Sequence, residues 1–456
     1  MQEEETMRGT ARIGLIAALL VGLVLAGCGD DDDDGGGSGG GSLNVAIVDN
    51  PQMKDIADLT PSLFTKKSGI EVNYTILDEG TLRQVTTRDV AAGGRQFDVV
   101  MIGPFEAPQF GRDGHLTDLT RFASQDQAYQ LEDIIPSVRN ALSFDGKLYA
   151  APFYAESSFL MYRKDVLKEA GITMPAQPTW DQVADIARRV DSPDMAGICL
   201  RGKPGWGDLG ASFTTVLNTF GGTWWSANED GSVGEAMVDQ PQFREALQFY
   251  VDLVKDAGEE DAASSSFNEC LTQYKDSKVA MWYDATVAAG LLEADDSAVK
   301  GKNGFAPAPV KETDASGWLW SWALAIPVTS AKAEDAWEYI SFATGPQYLK
   351  QAGSRIPGGW AAIPPGTRES TYQIPQYEKA AAAFAQPTLD SIAAAPIDDP
   401  GTTPRPGVPG VQYVGIPEFQ DVGNQCTEQF SAAIAGRTSI DSALSSCQDV
   451  ASQVGG

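Results

Sequence analysis

A chain of 456 residues in which 62 Asp and Glu oppose 33 Lys and Arg, for a formal net charge of −29, lacks the clustered cations that nucleic acid or anionic lipid headgroups require of a partner. Its single histidine, His115, lies in a polar Gly-Arg-Asp-Gly-His turn, which leaves no basis for Ser-His-Asp catalysis or histidine-based metal chemistry. The length suffices for two or three ordinary domains with substantial cores.

In chain order, the first feature is an apolar run from Ile13 to Val24 that follows Arg8 and Arg12 and is too short to span a bilayer, as in a secretory signal peptide. It ends at Leu25-Ala26-Gly27-Cys28, which resembles the bacterial lipoprotein pattern. That resemblance implies cleavage after residue 27, with Met1 or Met7 as the start, and acylation of Cys28 that anchors the chain outside the cytoplasmic membrane. Residues 28–42 hold Asp30 to Asp34 and a Gly/Ser run, which cannot bury apolar surface. They are expected to form a disordered tether of roughly 20 Å coil dimension. No second long apolar run follows, so nothing else is expected to span the membrane.

The body opens with a predicted strand at Leu43–Val48, a helical stretch at Met53–Thr65, a strand at Glu71–Leu77, a helix at Leu82–Ala92 and a strand at Phe97–Ile102. This β-α-β-α-β order predicts a parallel sheet with helices on both faces and a ligand crevice at the carboxyl ends of the strands. A second α/β set begins near Pro152. Within it, Thr179-Trp180-Asp181-Gln182 is a capping box opening a helix, and Ala196–Leu200 reads as a strand. Pro241 starts a helix to Ala257 with Phe243, Leu247, Tyr250 and Val254 inward, and Val279–Tyr283 is a short strand. Strands at Gly304–Pro307 and Trp320–Ile326 and a helix at Ala333–Thr344 follow. Beyond Gln386, Pro, Gly and Thr up to Gly410 predict an irregular segment before a final helical pair.

Cysteine parity adds a constraint. With Cys28 assigned to lipid, the four remaining cysteines of an exported chain predict two disulfides. Three pairings exist, of which local loop closure favours Cys426–Cys447 with Cys199–Cys270. No CxxC pair is present, so neither a metal site nor a cofactor is expected. Gly197 to Lys203 matches the spacing of a phosphate-binding loop, but Pro204 replaces the hydroxyl residue that would ligate magnesium and the interior reads as strand, so the match is discarded.

Aromatic and polar residues concentrate in four stretches: Phe153-Tyr154-Ala155-Glu156, Arg201 to Trp206, Trp282-Tyr283-Asp284, and Trp318 to Trp322. Indole faces stack on the C–H surfaces of sugars and polyols, while carboxylates and guanidinium groups meet their hydroxyls. Each tryptophan alone reads as core; their joint occurrence at strand ends points to a pocket.

These stretches also carry a resemblance. PFYAESSFLMYRKDVL from Pro152, GICLRGKPGWGDLGASFTTVLNTFGG from Gly197, MWYDATVAAG from Met281, WLWSWALAIP from Trp318, PPGTRESTY from Pro364 and GVQYVGIPEFQ from Gly410 are similar to the extracellular solute-binding proteins of bacterial ABC importers. The group is the maltose-binding-like one, and the likeness is greatest to its sorbitol/mannitol-binding branch. The resemblance implies a two-lobed α/β periplasmic-binding-protein-like fold (type II), each lobe a sheet flanked by helices, with the ligand cleft between lobes. Lobe 1 is expected from 43–151 and 285–340, lobe 2 from 152–284 and 341–456. It also implies a non-enzymatic, monomeric receptor for a polyol or small sugar that delivers its ligand to ABC permease subunits. The expected cleft residues are Glu79, Tyr154, Glu156, Arg201, Asp284, Trp320 and Trp322. Glu156 and Asp284 are expected to accept hydroxyl protons, Arg201 to donate, and a tryptophan to stack. Departures fall at Phe105, Phe110, Ala155 and Gln52, where the branch carries Tyr, Trp, Gly and an acidic residue. Two rival readings stand beside this one. A receptor for an anionic sugar acid is motivated by Arg201 and Lys203 and predicts salt-sensitive binding. A secreted glycoside hydrolase using two carboxylates predicts release of reducing sugar.

Overall fold

Period-2 burial in Ser42–Val48, where Leu43 and Val45 are buried beside exposed neighbours, starts a chain of nine strands that build two main sheets. The structure, a computed structural model, describes residues 41–395, 397 and 411–454. The expected signal peptide, Cys28 and nearly all of the tether lie outside the described residues, as does most of the irregular stretch before Gly410. The strands are β1 (Ser42–Val48), β2 (Glu71–Leu77), β3 (Val99–Ile102), β4 (Ala151–Glu156), β5 (Ser158–Arg163), β6 (Ala196–Cys199), β7 (Val279–Ala285), β8 (Asn303–Pro307) and β9 (Trp320–Ala325).

The first sheet has the order β2-β1-β3-β9-β4. β1 runs parallel to β2 and β3, as the alternating pattern predicts, whereas β9 returns antiparallel between β3 and β4. The second sheet has the order β8-β5-β7-β6, with β6 and β7 parallel and β5 antiparallel to both β7 and β8. The expected lobe boundaries therefore shift. Residues 151–156 complete the first sheet instead of opening the second lobe, and 303–307 join the second sheet from within the stretch assigned to the first. The helix Pro346–Ala352, expected in lobe 2, lies with the first sheet: Tyr348 packs its ring against Phe153 of β4 at 6.0 Å. β4 and β5 were not foreseen as separate strands, because only Ser157 lies between them and no turn residue marks the break.

Helices flank the sheets where the capping chemistry places them. Thr179 and Gln182 form the reciprocal capping box at the head of Trp180–Val190, and Pro241–Ala257 buries Phe243, Leu247, Tyr250 and Val254. Cys199–Cys270 ties β6 to the helix Phe267–Lys275 with Cα atoms 5.8 Å apart, and Cys426–Cys447 joins the helices Phe419–Ile434 and Ile440–Ala451 at 4.8 Å. No helix among the described residues is long and apolar enough to cross a membrane.

Candidate ligand-binding cleft

Strand pairing sets one wall. Tyr154 and Glu156 lie two residues apart on β4 and so share a face; opposite them on β9 stand Trp322 and Trp320. The helix Glu79–Ala91 adds Glu79 and Arg83, one turn apart on its first two turns. Arg83 Nε and a terminal nitrogen donate to Glu79 Oε1 at 3.1 and 2.7 Å, and its other terminal nitrogen donates to Glu106 Oε1 at 2.7 Å. Three indoles box this guanidinium: its central carbon stands 4.1 Å from the ring centre of Trp206, 4.5 Å from Trp320 and 4.8 Å from Trp322.

The opposite wall comes from the second sheet. Arg201, in the loop after β6, donates to both oxygens of Asp284 at 2.8 and 2.6 Å and to the Gly207 carbonyl at 3.1 Å. Burial is the largest single influence and would lower the guanidinium's pKa, yet the charge and hydrogen bond of Asp284, with Glu79 and Asp208 adding to them, outweigh it and hold Arg201 charged. Trp206 is fixed by its backbone N–H to Asn424 Oδ1 at 3.0 Å, and Gly205 N–H by Thr427 Oγ1 at 2.9 Å, so the 200–208 loop is pinned to the helix Phe419–Ile434. Phe105 from the first lobe packs on Trp206 with ring centres 4.5 Å apart.

Between the walls lies a narrow cavity lined by residues of both sheets. Six of the seven expected residues line it: Glu79, Tyr154, Glu156, Arg201, Trp320 and Trp322. Asp284 does not. It is fully buried behind Arg201, and besides that guanidinium it accepts from Trp282 Nε1 at 3.1 Å and from the Ala285 N–H at 2.6 Å. With its lone pairs so occupied, it positions Arg201 instead of meeting ligand hydroxyls. Glu156 lies on the lining as expected, with a carboxyl in an unusual setting. Burial pushes its carboxyl well above the usual range, with Asp284 and Glu79 adding to the rise and Arg201 opposing it.

Sequence reasoning did not single out Arg83, Asn50 or Gln412 on the lining, and it left Trp206 and Trp318 in clusters without choosing them. Asn50, just past β1, donates to the Tyr154 hydroxyl at 2.8 Å; it sat in the strand-end turn the pattern had marked. Of the departures, Phe105 packs on Trp206, whereas the amide of buried Gln52 has no partner among the described residues; Glu106, beside Phe105, anchors Arg83. On the lining itself, the indole N–H groups of Trp206, Trp318 and Trp320, Glu156 Oε2 and Gln412 Oε1 are buried and unpartnered among the described residues. Such groups cost free energy unless a ligand or water meets them.

The profile of the bacterial extracellular solute-binding proteins matches residues 46–350. A mannitol-binding protein of Pseudomonas aeruginosa is 40% identical over 89% of this chain and 91% of its own length. The crystal structure of a solute-binding protein from Agrobacterium vitis with bound D-mannitol is 43% identical, superposes with a TM-score of 0.85 and covers 91% of this chain and 98% of that one. A ribitol complex from Agrobacterium radiobacter, at 22% identity and a TM-score of 0.76 over 91% of this chain and 99% of that one, shares the two-lobed fold.

Proposed function

This chain belongs to the bacterial extracellular solute-binding proteins, and from that premise we propose that it is the receptor of an ABC importer for a linear polyol of the hexitol or pentitol kind. The observation that carries the reading is the charge balance of the cleft. Both guanidinium groups on the lining are already held by carboxylates, Arg83 by Glu79 and Glu106 and Arg201 by Asp284, beside indole faces and unpartnered polar atoms. That supports an uncharged ligand rich in hydroxyls. An anionic sugar acid would find no spare cation, because Lys203 stands at the rim beside Asp78 at 3.7 Å.

In this reading Trp206, Trp320 and Trp322 stack on the carbon chain, and Arg201 donates to ligand oxygens. Asp284 orients Arg201. Ligand bound to one lobe recruits the other, and the differential affinity for the closed form drives the switch that the permease reads. The receptor acts as a monomer, turns over nothing, and is tethered to the outer face of the cytoplasmic membrane through Cys28. A thermal-shift panel of hexitols, pentitols, sugars and sugar acids tests the ligand class. At 100 times its dissociation constant a ligand adds about 2.7 kcal/mol, so a polyol shifts the transition clearly and without salt dependence. A shift confined to sugar acids, or release of reducing sugar from a glycoside, overturns the reading.

A further inference from the structure

The carboxyl of Glu156 stands apart from every other charged group of the cleft. It lies on β4, 5% exposed, and its Oε2 is buried on the cavity wall with no hydrogen-bond partner among the described residues. The groups facing it come from four elements: Glu79 and Arg83 of the helix Glu79–Ala91, Arg201 of the loop after β6, Asp284 of β7, and Tyr154 on its own strand. The two cations among them are spoken for. Arg83 bridges Glu79 and Glu106, and Arg201 is held by both oxygens of Asp284 with Glu79 at 3.9 Å and Asp208 at 4.0 Å. Two guanidinium groups thus already face four carboxyl groups, and a fifth negative charge in this box would have no counter-ion of its own.

We infer that Glu156 enters the binding site as a neutral carboxylic acid and donates its O–H to a hydroxyl oxygen of the ligand, making it the one carboxyl of the cleft that serves as donor. The inference rests on the polyol reading above and deepens it. A neutral acid offers one donor and keeps acceptor capacity, which suits an alcohol oxygen that itself donates onward. A carboxylate could only accept, and the cleft already holds Glu79 for that. The direction in which burial moves the Glu156 carboxyl agrees with the geometry. Since only the protonated form donates, affinity is full on the acid side and falls as pH rises through the carboxyl's titration.

The test uses D-mannitol calorimetry and infrared difference spectroscopy on the wild-type protein, Glu156→Gln and Glu156→Ala. Glutamine is a neutral isostere whose amide donates where the acid does. Glu156→Gln should therefore bind mannitol within about threefold of wild type, and Glu156→Ala at least about tenfold more weakly. The wild-type minus Glu156→Gln spectrum, recorded without ligand, should carry the carbonyl stretch of a protonated carboxyl that shifts in D2O. As pH rises through the carboxyl's titration the wild-type affinity should fall while that of Glu156→Gln stays level, which separates Glu156 from Asp208 and other groups that titrate in both proteins. A carboxylate band in place of the acid band overturns the inference, as does a glutamine variant as weak as the alanine one. A glutamine variant that fails to fold also overturns it, because a neutral isostere of a neutral group leaves the fold intact. So does a wild-type affinity that stays level after the acid band has gone. Wild-type protein that gives no heat with any polyol instead removes the ligand reading and leaves the infrared result standing.

Discussion

Arg83 shows what a single residue conceals from sequence. Placed four residues after Glu79, it reads as one half of a solvated i,i+4 pair, and only the indoles of Trp206, Trp320 and Trp322, drawn from distant segments, turn it into a buried cation. Tyr154, Glu156, Trp320 and Trp322 were legible because aromatic and acidic residues cluster in their two stretches and the family resemblance implied a cleft there; the pairing of β4 with β9 then brings each pair onto one face. Asp284 shows the converse: its residue type was read as a ligand acceptor, yet its oxygens are occupied by Arg201, Trp282 and the Ala285 N–H. Asp284→Ala strands the Arg201 guanidinium without its counter-ion, a loss of about 3–5 kcal/mol for a broken buried pair. The variant is expected to have a lower urea midpoint as well as weaker polyol binding. Unchanged stability with only the affinity lost would return Asp284 to direct ligand contact.

At the scale of elements, most of the secondary structure could be read from caps and periodicity. Pro241–Ala257 and Ala333–Thr344 match their expected bounds, since a proline at N1 in one and a glycine after the last turn in both mark them. The disulfides followed from parity, and closing loops with sequence separations of 71 and 21 contributes about 4 and 3 kcal/mol in the chain-entropy model. Alkylation without reductant should leave Cys199, Cys270, Cys426 and Cys447 unlabelled by intact mass. Beside the first disulfide, Glu259 is 7% exposed with Oε2 unpartnered among the described residues, and burial raises its carboxyl to about 7, a hydrogen bond with Ser265 opposing. Its folded-state pKa thus lies above the unfolded value of 4.5, so folding penalises the ionised form. The penalty is absent below the unfolded value and complete above about 7. Relative to Glu259→Gln, wild-type protein should lose on the order of 2–3 kcal/mol between about pH 5 and pH 8 in paired urea melts. Parallel pH profiles would show that Glu259 does not carry this term.

Lobe membership was the least legible property, because it depends on pairing across long sequence separations. β4 and β5 are separated by Ser157 alone yet belong to different sheets, and at that crossing Ser157 and Thr286 bond each other, Ser157 N–H to Thr286 Oγ1 at 3.2 Å and Thr286 N–H to the Ser157 carbonyl at 2.8 Å. Contacts that span the cleft describe a closed molecule: Asn268 donates to the Asp49 carbonyl at 2.7 Å, Lys203 meets Asp78 at the rim, and Trp206 lies over Arg83. The exposed Lys203–Asp78 pair contributes about 1 kcal/mol or less. Closure depends far more on how closely the 200–208 loop approaches the helix Glu79–Ala91. Gly207 sets that distance. A Cβ there would stand 2.3 Å from Glu79 Oε1 and 2.8 Å from Arg83 Nε, and neither group can yield readily while Arg83 is boxed by indoles and bridged to Glu106. Gly207 is not among the positive-φ glycines, so alanine fits its backbone and each lobe on its own. Gly207→Ala should therefore hold the lobes apart without unfolding either. Its melting temperature without ligand should equal that of wild type, polyol affinity should fall at least about tenfold through faster release, and scattering should lose the ligand-induced compaction. Wild-type affinity in Gly207→Ala would mean that the ligand is held without the loop meeting the helix, and that the contacts across the cleft do not set the closed state.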